Sequence, residues 1–198
     1  MEESSVLGLR YGAVKLAPHS PKWQTLFDIE KRILQALIGS YVMEIRHIGS
    51  TAIPSIYAKP ILDIMAGLHK LEDVTHCIAP LETAGYQYMG EQAIPGWHFF
   101  IKGVGEIKTH HLHVVEWNSD YWITHILFQE YLCRHPEAAY AYEQLKRDLE
   151  KKYPDDRESY TRDKTDFINA ITEMAQRARH HAKESEEPPL PPASMPPA

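Results

Sequence analysis

Two short segments, Arg46-His47-Ile48-Gly49-Ser50-Thr51 and Lys59-Pro60-Ile61-Leu62-Asp63-Ile64, constrain this chain more than any other part of it. The first reads as an apolar strand that runs into a Gly-Ser turn. The second starts an apolar run, residues 61–68, that carries a single carboxylate. A charge inside a buried strand is costly unless it is hydrogen-bonded or holds a cation. A glycine after a strand lets backbone N–H groups converge on an oxyanion, and a serine hydroxyl adds a donor. Twelve residues separate Ser50 from Asp63, enough for one irregular crossover back into the same sheet. The residue two beyond the aspartate, where a second carboxylate would share its face, is Met65.

The surrounding pattern predicts an α+β fold with a mixed central sheet flanked by helices. Trp23, Leu26, Phe27, Ile33, Leu34, Leu37 and Ile38 recur at helical spacing over 21–38, with Ser20 as cap, Pro21 at the first position and Gly39 at the end. Strands are expected at 41–48, with Met43, Ile45 and His47 on one face, and at 61–68, 86–89, 97–102 and 108–117. A helix is expected at 71–84. Helices are expected again at 120–133, 136–152 and 160–180, the last capped by Thr161. Six of the 14 prolines lie between Pro188 and Pro197. The division is therefore one domain over residues 11–180 and a disordered, Pro-rich tail over 181–198.

Composition narrows the function classes. The chain is 43% hydrophobic and 24% charged, ordinary for a soluble domain, and its net charge of -6 argues against duplex nucleic acid as a partner. A small anionic ligand or nucleotide needs only a few local donors. No apolar run of 18 residues is present, so no membrane is expected, and the start of the chain does not read as a signal peptide. Cys77 and Cys133 make no disulfide framework. The cytoplasm is the expected location, with monomer and homodimer both open.

The chemistry-bearing residues are Asp63, His47, His111 and His113 as catalytic candidates, and Gly49, Ser50, Thr51 and Lys59 as phosphate-binding candidates. His111 and His113 share a strand face. Beside Asp63 they would suit Zn²⁺, Mn²⁺ or Fe²⁺ through Asp63, His111 and His113, or equally a metal-free acid/base site. Phosphoryl chemistry calls for a divalent cation, Mg²⁺ or Mn²⁺, and Glu106 and Glu116 are candidates for a further oxygen ligand. Trp97, His98 and Phe100 read as core packing, with a ring-binding wall as the alternative. Arg134, Lys146, Arg157 and Lys164 read mainly as a solvated face.

With these residues in view, the chain resembles the GrpB family of nucleotidyltransferase-like proteins. The matching residues are Pro18, Trp23, His47-Ile48-Gly49-Ser50-Thr51, Pro54, Lys59-Pro60-Ile61-Leu62-Asp63-Ile64 and Gly85-Tyr86. They continue with His111-Leu112-His113-Val114, Phe128, Tyr131-Leu132, Leu145-Lys146, Tyr160 and Lys164, across residues 11 to 177. The resemblance implies a polymerase-beta-like nucleotidyltransferase fold with the Gly-Ser turn and Asp63 at its core, a C-terminal helical unit, and a nucleoside triphosphate as substrate. The family tends to have Phe-Arg-Asp where this chain has Phe128-Gln129-Glu130. Three readings follow: a metal-dependent nucleotidyltransferase with an unknown acceptor; a divergent isomerase, cyclase or hydrolase using the His/Asp pocket; or a non-catalytic ligand-binding protein.

Overall fold

The computed structural model describes residues 6–186, with side chains described to residue 180. In chain order the elements are β1 (Leu9–Arg10), α1 (Lys22–Ile38), β2 (Val42–Ile48), β3 (Leu62–Leu68), α2 (Val74–Thr83) and β4 (Tyr86–Glu91). They continue with β5 (His98–Val104), β6 (Ile107–Glu116), α3 (Asp120–Arg134), α4 (Pro136–Lys152), α5 (Arg157–Arg162) and α6 (Thr165–Glu186). The five long strands lie in the order β2-β3-β6-β5-β4, and β1 joins the sheet on β6. β3 and β6 run parallel, and every other pairing is antiparallel. This is the mixed α+β architecture the sequence predicts.

One face of the sheet carries Ile64, Ala66, Leu68, Leu112 and Val114, which pack with α1 and α2 into the main core. The helix α1 buries Trp23, Phe27, Glu30, Leu34 and Ile38, a stripe at spacings of three and four. Each of its fully buried apolar side chains contributes about 1.5–3 kcal/mol. The opposite face carries Met65 and Val115, which pack with Ile48 and Trp122 beneath α3. Alternation along β3 and β6 therefore sends Asp63, His111 and His113 toward the helical half and leaves their neighbours in the main core. A further cluster of Ile53, Ile56, Leu132, Ala139, Tyr142 and Ile171 ties α3, α4 and α6 to the loop after β2.

The structure departs from the sequence reading at several places. The strand β1 was not expected. It extends the line of β3 along the same side of β6, pairing Leu9 with Lys108, with Gly8 N–H bonded to the carbonyl of Pro60. The single helix expected over 160–180 is two helices. Asp156 caps α5 by accepting from Ser159 N–H, so Thr161 lies inside a helix rather than at its start. Asp163, held by Tyr153 Oη at 2.7 Å and Lys152 at 3.2 Å, marks the break. The last helix then runs to Glu186, beyond the expected domain boundary at 180. The remainder of the expected tail, residues 187–198, lies outside the described residues. Among the described residues no helix is long and apolar enough to cross a membrane.

Candidate functional site

The parallel register places Asp63 opposite His111 and Met65 opposite His113. His111 Nδ1 donates to Asp63 Oδ1 at 2.9 Å, since an ionised carboxylate only accepts. The histidine is nearly buried, whereas 31% of the Asp63 side chain remains open to solvent. Burial opposes ionisation of Asp63. The His111 hydrogen bond outweighs it, aided by the nearby charges of His111, His113 and Lys59, and the carboxyl is held well below the usual range. Gly49 supplies the other side of this arrangement. Its φ of 68° and ψ of -171° suit glycine, and a Cβ there would collide with the Asp63 carboxylate and lie 2.8 Å from Asp63 Cβ. The turn is thus pressed directly onto the aspartate.

Not all of the expected site residues reach this place. His47 is on the other face of the sheet. It stacks on Phe27 of α1 at 4.7 Å, and its Nε2 lies 2.9 Å from Thr51 Oγ1. Burial first of all keeps it neutral, with its pKa lowered to about 4. Thr51 is buried and donates to the carbonyl of Ile61, so these two residues brace the turn from behind. Ser50 faces the helical half, beside the phenol of Tyr142. Met65 is fully buried among apolar side chains. Glu106 and Glu116 are exposed and stand five positions to either side of His111, about 17 Å along the strand direction. Neither can add an oxygen ligand at Asp63.

His113 is brought to the same face as His111 but is engaged differently. Its ring stacks on Trp97 at 5.6 Å, and its Nδ1 lies 3.2 Å from the hydroxyl of Tyr121, which in turn stacks on His125 at 4.0 Å. Burial lowers its pKa to about 3. Trp97 and Phe99 line this side, the latter 5.3 Å from the His111 ring. His98 and Phe100 do not: His98 bonds Tyr88, and Phe100 is in the main core. Among the described residues no group of three or more His, Cys, Asp or Glu side chains is arranged to hold a metal ion. One carboxylate with free solvent access does fit a hard cation that takes its other ligands from water and substrate phosphates.

The helical half delivers what the sequence reading left on the surface. Lys164 Nζ lies 4.6 Å from the centre of the Tyr160 ring, and Lys59 Nζ lies 5.3 Å from the same ring. Lys146 is buried; its Nζ is 4.7 Å over the Tyr142 ring and donates to the carbonyl of Tyr57. Arg157 borders, with Lys59 and His111, a cavity of about 10 Å³ under β1, room for about one water. Burial, followed by repulsion among these groups, lowers Lys164 to about 7, and Asp63 partly offsets it. Lys59, through burial and then Arg157, is lowered to about 8. Lys146 is lowered by burial to about 7, with Glu143 opposing. Arg134 is not part of this group; it is exposed and pairs with Glu130. It borders a groove of about 490 Å³ between α3, α6 and β2, which touches none of Asp63, His111, Lys59 or Lys164.

The family described as "GrpB protein" matches residues 13–174. The chain is 43% identical over 170 residues to the glutamate-rich protein GrpB of Alkalihalophilus pseudofirmus, covering 84% of this chain and 98% of that one. It is 36% identical to the UPF0157 protein YqkA of Bacillus subtilis over 83% of its own length, and spans 48% of that relative. The crystal structure of the conserved protein GrpB from Enterococcus faecalis superposes with a TM-score of 0.78 at 31% identity, covering 83% of this chain and 99% of that one.

Proposed function

Since this chain belongs to the GrpB family, we propose that it is a nucleotidyltransferase-like protein that binds the phosphates of a nucleoside triphosphate beside Asp63. The observation that carries this reading is the recess itself. A lone carboxylate on a central strand faces Lys59 and Lys164, with a glycine turn pressed against it. Asp63 would hold a Mg²⁺ or Mn²⁺ ion, which when bound supplies charge neutralisation for the phosphates. The chain's own residues do the rest. The lysines hold phosphate oxygens, Ser50 lines the approach, and Asp63 fixes the His111 ring so that its Nε2, with no hydrogen bond among the described residues, is available to take a proton from an acceptor.

Calorimetric titration of ATP and GTP into metal-stripped protein, with and without Mg²⁺ or Mn²⁺, tests this. Metal-dependent binding that disappears in Asp63→Ala supports it, and pyrophosphate release with an acceptor would establish transfer. Folded protein that binds neither nucleotide with either ion defeats it. The Asp63–His111 hydrogen bond at 2.9 Å favours a second reading, acid/base chemistry on a small anion. Under that reading His111→Gln abolishes turnover of a substrate that contains no nucleotide.

A further inference from the structure

The recess holds more positive charge than its own carboxylates neutralise. Lys59, Arg157 and Lys164 form no ion pair within the described residues, although Lys59 and Lys164 are drawn deep enough to lose much of their hydration. The neighbouring acids are already committed. Asp63 accepts from His111, Glu143 accepts from Tyr57 N–H and faces Arg147 at 2.9 Å, and Glu150 accepts from Leu16 N–H. Taking a cation out of water without a partner is unfavourable, so a fold that gathers several of them is complementary to an anion it does not itself contain. Arg157 lies beside His111 under β1, Lys59 and Lys164 stand about one tyrosine ring, and Lys146, buried over Tyr142 and bonded to the Tyr57 carbonyl, adds its charge from the interior. Several cations gathered from different elements match an anion that carries more than one charged group, as a chain of linked phosphates does, better than a singly charged one.

We propose that Lys59, Arg157 and Lys164, with Lys146 adding its charge from the interior, form a polyphosphate-binding site that takes a di- or triphosphate chain without a metal ion. The site shares the recess of the proposed function but requires neither a nucleoside nor turnover. Lys146 comes from α4, Arg157 from α5, Lys164 from the turn between α5 and α6, and Lys59 from the loop before β3, so a bound chain joins the sheet to the helical half.

The experiment is calorimetry on the full chain in EDTA, with inorganic tripolyphosphate, pyrophosphate, orthophosphate and citrate as probes. Tripolyphosphate is expected to bind at least tenfold more tightly than orthophosphate. Lys164→Met and Lys59→Met are each expected to weaken it at least tenfold, and the exposed Lys70→Met to leave it within twofold. Unfolding curves for each variant show whether a loss of binding is a loss of fold, and the parent protein's salt dependence gives a second readout, since several released counterions make affinity fall steeply with salt. No tripolyphosphate binding by the folded parent overturns the inference, and so does citrate binding as tightly as tripolyphosphate. ATP binding only with Mg²⁺, and no tripolyphosphate binding in EDTA, overturns this site and leaves the proposed function standing. Tripolyphosphate binding without any response to ATP does the reverse.

Discussion

Replacing Lys164 with methionine removes a cation from a place where burial, Lys59, Lys146 and Arg157 all oppose it, and the protein is expected to become more stable. Burial, then Lys59 and Lys146, lower the Lys164 pKa to about 7 from the ordinary lysine value of 10.5. Each pKa unit is worth about 1.4 kcal/mol, which sets a ceiling of about 5 kcal/mol on the cost of keeping the proton at neutral pH. Lys164 retains some solvent access, which lowers that figure, and its ammonium 4.6 Å from the Tyr160 ring returns about 1 kcal/mol. The net gain for Lys164→Met at pH 6.5 is then about 1–3 kcal/mol. The sign with pH is definite. Between pH 7 and 10.5 the unfolded chain keeps a proton that the folded chain has lost, so the parent's stability rises with pH through that window and the variant's advantage shrinks. Packing gained from the methionine would not vary with pH, so urea unfolding at pH 6.5 and pH 9.5 separates the two contributions. A variant less stable than the parent at pH 6.5, or one with the same advantage at both pH values, refutes the argument.

Other substitutions probe the same architecture. Gly49→Ala combines a backbone region nearly reserved for glycine, costing about 1–3 kcal/mol, with the collision at Asp63, and should lose about 3–5 kcal/mol by urea unfolding. Asp63→Asn should cost about 2 kcal/mol at pH 7. Its folded pKa lies below the unfolded value, so that contribution is complete above about pH 4 and lost as pH falls through the folded value; acid unfolding curves of parent and variant should converge at the bottom of the scale. His47→Ala removes the Phe27 stack and the Thr51 bond and should cost about 1–3 kcal/mol, yet leave tripolyphosphate affinity within twofold because the imidazole faces α1.

The sheet was legible because apolar runs and glycine turns encode it locally. Asp63 in residues 61–68 and the alternation of His111 and His113 anticipated the pairing that the parallel register confirms. His47 was misplaced for a reason the register makes plain. Ile48 pairs with Asp63 and so takes the aspartate's face, which sends His47 to the other one. The same alternation puts Trp97 and Phe99, rather than His98 and Phe100, beside the histidines. The cationic group was harder to see. Lys146 follows Tyr142 by four residues and precedes Leu149 by three, which makes it part of a buried helical stripe and is the one local hint. Lys164 depends on the break between α5 and α6, fixed by contacts of Asp163 with Tyr153 and Lys152. Which charges converge is a property of tertiary packing, and charged residues scattered over several helices look alike in sequence.

The assembly of this recess from distant parts of the chain has a consequence for biosynthesis. A growing polypeptide that has reached residue 116 carries all the strands, with Asp63 and His111 able to meet, but none of the cations of α4–α6. The positive side is added only when the last helices have emerged and docked. A polyanionic ligand therefore distinguishes finished molecules from unfinished ones. By binding only the completed fold it draws newly made chains toward it, with a driving force that grows as the logarithm of ligand concentration.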